Sequence, residues 1–93
     1  MLSVPFSVMS GGTDGNLTIR ATNNRDFDST FPTSLFVESG NSTNGTVTLS
    51  APLNTPSGTD VILTIEAKAP GGADMNYIVL LFTVVNMVIT FIV

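Results

Sequence analysis

The sequence predicts an all-β domain built as a sandwich of about seven short antiparallel strands. Three observations carry that prediction. Apolar residues recur with period two over most of the chain, Gly, Pro, Asn and Asp cluster between those runs, and no window shows the i, i+3, i+4, i+7 pattern of an amphipathic helix.

The elements follow in order. "VPFSV" places Val4, Phe6 and Val8 on one face. "NLTIRATN" sets Leu17, Ile19 and Ala21 against Thr18, Arg20 and Thr22, and "SLFVE" sets Leu35 and Val37 inward with Phe36 in the outward phase. "GTVTLSA" buries Val47, Leu49 and Ala51 and leaves Thr46, Thr48 and Ser50 in water. "VILTIEAKA" does the same with Val61, Leu63, Ile65, Ala67 and Ala69, leaving Ile62 outward. Thr suits the wet faces because its branched Cβ favours extended backbone while its hydroxyl stays solvated.

The punctuation between the runs agrees. Asp14-Gly15 stands between two alternating runs and predicts a hairpin whose turn needs positive φ. "SGNSTNG" and "APGGADMN" are further turns, and Pro32 and Pro52 fall at strand ends, where a missing N–H costs little. In "APLNTPSGTD", Pro52 ends one strand, and Pro56 with Gly58 turns the chain into the next, which predicts a crossing between sheets. Strands of this number and spacing in a chain of this size predict an immunoglobulin-like β-sandwich. The expected domain covers residues 3–85, followed by an apolar tail at 86–93.

From Tyr77 to Val93 the chain carries no charge. "NYIVLLFTVV" reads as a final sandwich strand paired on both sides. A membrane-spanning helix over Ile78–Val93 is the alternative, but it sits at the short end of the ~20 residues a span needs. It also contains Asn86, Thr83 and Thr90, has no flanking Lys or Arg, and is rich in β-branched residues. The strand is favoured.

Composition narrows the function. The net charge is −4, with Arg20, Arg25 and Lys68 as the sole cations, so no basic stripe exists to displace counterions from nucleic acid or to hold anionic lipid. The chain has no Cys and no His, which removes disulfides, thiolate metal sites and the commonest general base. There is no Gly-x-Ser-x-Gly elbow, and "SGGTDG" precedes no helix that could bind a phosphate. Asn23, Asn24, Asp26 and Asp28 form an oxygen-rich cluster, but nothing matches the twelve-residue calcium loop, and such residues in turns bond to their own backbone. No catalytic residue, cofactor or metal is expected.

Sequons stand at Asn16, Asn41 and Asn44, while Asn54-Thr-Pro56 fails at its third position. Asn16, Asn41 and Asn44 are the candidate glycosylation sites, the latter two expected in one loop. "MLSVPFSVMSGG" has neither a basic n-region nor an apolar h-region, so a secretion signal is expected upstream, in a longer precursor.

The runs "PFSVMSGGTDGNLTIRATNNRDF" and "FPTSLFVESG" through "MNYIVLLFTVV" resemble the C-terminal Ig-like domain of animal von Willebrand factor A domain-containing proteins of the hemicentin-related branch. "NTPSGTD" ahead of an alternating strand and "GGADMNY" ahead of the last one are the most specific elements. The resemblance implies a module that follows an A domain in a large extracellular protein, and it brings no catalytic residues. The A domain's Asp-x-Ser-x-Ser adhesion motif is absent. The expected role is a non-enzymatic spacer or contact module, secreted or at the cell surface, whose partners are neighbouring domains of a parent protein or other extracellular proteins. A carbohydrate-associated bacterial surface module is a further alternative, although one Tyr and no Trp leave little for a sugar to stack on.

Overall fold

The computed structural model describes residues 2–12, 14–69 and 75–85. They form seven strands: β1 (Leu2–Met9), β2 (Gly15–Asn23), β3 (Asp28–Thr30), β4 (Ser34–Val37), β5 (Ser42–Ser50), β6 (Asp60–Lys68) and β7 (Met75–Thr83). A three-stranded sheet of order β1-β5-β3 lies against a four-stranded sheet of order β4-β2-β6-β7, with antiparallel pairing throughout.

The alternation read from the sequence becomes the core. Val4 and Phe6 of β1 and Val47 and Leu49 of β5 meet Leu17, Ile19 and Ala21 of β2, Val37 of β4, and Val61, Leu63 and Ile65 of β6. Val47 and Leu63, one from each sheet, have no exposed surface. Packing is tight at Gly45: a Cβ there would stand 2.5 Å from Phe6 Cζ on the neighbouring strand of the same sheet and 3.1 Å from Leu35 Cδ1 of the facing sheet. The absent side chain makes room for the Phe6 ring.

Several expectations are corrected. Asp14-Gly15 is not a hairpin turn. Gly15 does have positive φ (137°), but β1 and β2 lie in different sheets, so the connection crosses between layers. Their apolar faces oppose each other, and a hairpin would have put both on one side. Ser10 N–H donates to Asn41 O (3.0 Å), Gly40 N–H donates to Ser10 O (3.1 Å), and Ser39 N–H donates to Asp14 Oδ1, which tie this crossover to the β4–β5 turn.

β5 begins at Ser42, three residues before its expected start at Gly45, because Ser42–Gly45 pair with Phe6–Met9 of β1. It ends at Ser50, which leaves Ala51 exposed rather than in the core. β3 has no alternating signature and was not expected; its three residues pair with Thr48–Ser50.

The "APLNTPSGTD" segment does cross between sheets. Thr55 N–H donates to Pro52 O (3.0 Å) and Thr59 N–H to Pro56 O (3.3 Å), so two turns follow in succession, with Gly58 at φ 90°.

The largest correction concerns β7. Among the described residues it is an edge strand paired with β6 alone, not a strand paired on both sides. A three-stranded sheet cannot cover a fourth strand opposite, so Met75–Ile78 and Val79 are exposed and only Leu80 and Phe82 are half-buried. For the membrane alternative, Ile78–Thr83 is strand rather than helix, and residues 86–93 lie outside the described residues. Among the described residues no helix is long and apolar enough to cross a membrane.

Candidate interaction surface

Strand register decides which side chains share the outer face of the four-stranded sheet. Pairing of Ile62 with Leu81, Thr64 with Val79, and Glu66 with Tyr77 places these residues together beside the β7 edge. Tyr77 (59% exposed), Val79 (54%), Leu81 (68%) and Ile62 (42%) form an apolar patch there. Inward alternation along β6 forces Ile62 outward, and Ile62 N–H donates to Asn24 Oδ1 (2.8 Å), which ties the strand's start to the β2–β3 corner. Polar groups bound the patch: Thr83 Oγ1 donates to Asp60 Oδ1 (2.9 Å) at one end, and Glu66 and Lys68 stand at the other.

Phe36 also faces outward, at 60% exposure, but on β4 at the far edge of the sheet. The polar row Thr18, Arg20 and Thr22 of β2 separates it from the patch on β7. Both residues singled out by their outward phase, Phe36 and Ile62, are therefore surface residues rather than lids on the core. Tyr77, Val79 and Leu81 escaped the sequence reading, because an uncharged apolar run looks the same whether a strand is central or at an edge. The hydroxyl of Thr83 and the absence of alternation were the only available hints.

The sequons are placed as follows. Asn16 is exposed on β2, directly opposite Phe36. Asn41 is exposed in the β4–β5 turn, where its Nδ2 donates to Glu38 Oε2 (3.3 Å). Asn44 is exposed too, but in β5 opposite Ser7 and not in a loop, so the two do not share one loop as expected.

The two Asn side chains of the oxygen-rich cluster are bonded to backbone groups, Asn24 to Ile62 and Asn23 to its own corner. Asn23 Oδ1 accepts from the N–H groups of Arg25 (3.1 Å) and Phe27 (2.9 Å), and its Nδ2 donates to Phe27 O (3.0 Å). This closes the β2–β3 corner, with Asp26 held at φ 55°, a conformation Asp tolerates better than most. Arg25 Nε donates to Asp60 O (2.8 Å), so the charged residue here also serves the frame. At the same end of the sandwich, an apolar mouth opens between the layers, lined by Leu2, Phe27, Leu49, Val61, Phe82 and Val84.

Two facing antiparallel sheets of three and four strands, with an apolar core between them and Asn side chains turned to backbone caps, define an immunoglobulin-like module. The chain belongs to the VWA7 Ig-like domain family, whose model matches residues 1–86. No curated protein and no solved structure matches it.

Proposed function

We propose that the chain is a non-catalytic module of a larger secreted or cell-surface protein, holding a fixed face against a neighbouring domain of its parent. The observation that carries this reading is the patch of Ile62, Tyr77, Val79 and Leu81, an apolar area on a sheet face whose β2 row, Thr18, Arg20 and Thr22, is polar. Exposed apolar clusters rimmed by polar groups are where domains meet. Family membership supports the modular role, and the Asn and Arg side chains that could have formed a site are bonded to the module's own backbone. Residence in the secretory pathway would leave glycans on Asn16, Asn41 or Asn44, all of them exposed.

The test is a Val79→Lys, Leu81→Lys double variant of the parent protein. Both side chains are more than half exposed, so the module's own unfolding free energy should stay within about 0.5 kcal/mol of the parent's. Protease cleavage at the junction with the neighbouring domain should become several-fold faster. An unchanged cleavage rate would sink the contact role, and unmodified Asn at all three sequons in native material would sink the secretory one.

A further inference from the structure

Phe36 stands apart from the patch on β7. Among the described residues it is the one Phe that lies mostly in water, 60% exposed on the outer face of β4. An aromatic ring gains by leaving water, yet the polar row of Thr18, Arg20 and Thr22 divides this one from the apolar side chains across the sheet.

Register decides what stands beside the ring. Asn16 is its direct cross-strand partner, and Asn16, Leu17 and Thr18 make the first sequon. Ile19 N–H donates to Thr33 O (2.9 Å), which makes those two residues a hydrogen-bonded pair of the antiparallel ladder. Pairs alternate along such a ladder, so Leu17 with Leu35 is hydrogen-bonded and Asn16 with Phe36 is not. Pairs of the second kind bring their side chains closest, with Cβ atoms about 4.5–5.5 Å apart. β4 is held at both ends of this pairing, by the Thr33 bond and by Ser39 N–H donating to Asp14 Oδ1.

We propose that Asn16 carries an N-linked glycan whose first N-acetylglucosamine lies over the Phe36 ring. The proposal rests on the secretory reading above and assigns its sugar to one place. In the transfer, Asn16 Nδ2 bonds to the anomeric carbon of a lipid-pyrophosphate-linked oligosaccharide, loses one of its protons, and the lipid pyrophosphate leaves. Attachment precedes closure of the sheet, so a strand position is no bar to it, and the finished fold leaves Asn16 exposed. The sugar then begins one side chain's length from the ring. Its weakly positive C–H face suits the negative face of the aromatic.

The other two sequons lack an aromatic cross-strand partner. Asn41 lies in the β4–β5 turn with its Nδ2 on Glu38 Oε2, and Asn44 stands opposite Ser7. Sugar over Phe36 would also shield β4, an edge strand among the described residues that has no Lys of its own to deter a foreign strand. The patch on β7 lies at the other edge of the sheet and stays open for its contact.

The test uses the full chain secreted from eukaryotic cells, with Asn41→Gln and Asn44→Gln so that the Asn16 sequon alone remains. The same chain made in bacteria is the sugar-free reference. Peptide mass mapping should find Asn16 modified. After an endoglycosidase trims the glycan to its first sugar, that sugar's protons should resonate upfield of their positions in a Phe36→Leu chain, because groups above an aromatic face are shielded by its ring current. The single sugar should raise the thermal midpoint by on the order of 5 °C over the reference, and by less than about half of that in the Phe36→Leu background. Phe36 is mostly exposed, so Phe36→Leu leaves the fold in place. Bare Asn16 in the secreted chain, or equal shifts and equal stabilisation in the two backgrounds, would overturn the proposal. In native material, sugar on Asn41 or Asn44 beside a bare Asn16 would overturn it alone, while bare Asn at all three would overturn it together with the secretory reading.

Discussion

Gly45 offers a sharp test of how the Phe6 ring packs across β5. A methyl added there would stand 2.5 Å from Phe6 Cζ, 2.9 Å from Phe6 Cε1 and 3.1 Å from Leu35 Cδ1. The first two distances are too short to persist, so the Phe6 ring must turn away from a site where it is 92% buried (8% exposed). Gly45 is not among the glycines with positive φ, so the backbone itself accepts a side chain. Replacing Gly by Ala would on its own stabilise by about 0.4–1 kcal/mol, through the unfolded chain. Overpacking costs about 1–3 kcal/mol. The clash should win, leaving Gly45→Ala roughly 1–2 kcal/mol less stable, by difference between those two effects. At about 4–8 °C per kcal/mol for a domain of this size, the thermal midpoint should fall by about 5–15 °C. Urea unfolding followed by circular dichroism measures this directly. Phe6→Leu removes the ring atoms that cause the clash, so Gly45→Ala introduced into that background should be close to neutral. The coupling energy in the double-mutant cycle should then be at least ~1 kcal/mol. Additive effects, or a Gly45→Ala variant as stable as the parent, would refute the packing described here.

Three further outcomes follow from the same frame. Leu63→Ala empties the centre of the core and should cost about 2–5 kcal/mol by equilibrium unfolding, enough to threaten the fold of a domain this small. Gly58→Ala has open space around it but requires φ 90°, so it should cost about 1 kcal/mol from backbone strain alone; Gly12→Ala, with open space and no such φ, should be within about 0.5 kcal/mol of neutral.

The strands that became the core were legible because burial on one face imposes period two. Val4, Phe6, Leu17, Ile19, Ala21, Val37, Val47, Leu49, Val61, Leu63 and Ile65 had all been placed inward. Connectivity was less legible. Asp14-Gly15 carries the φ requirement of a tight turn, but the same requirement arises in a crossover, and only the three-dimensional opposition of β1 and β2 separates the two. β3 has too few residues to show a period, and its place is set by the Asn23 cap and by β5. The apolar run in β7 misled because hydrophobicity reports how much a segment gains by leaving water, not whether its own sheet supplies the cover. The exposed apolar patch lay hidden there for the same reason, while Phe36 and Ile62 were visible as breaks in otherwise regular alternation.

The central claim is that this module works through a face and not through a reaction. A photoreactive phenylalanine analogue placed at Val79, on the apolar patch of β7, tests it most directly in a parent protein that carries this module. The same analogue at Thr46, exposed on the opposite sheet, is the control. The account predicts a cross-link to a neighbouring domain from position 79 and little or none from position 46. Equal labelling from both positions, or none from position 79, would contradict it.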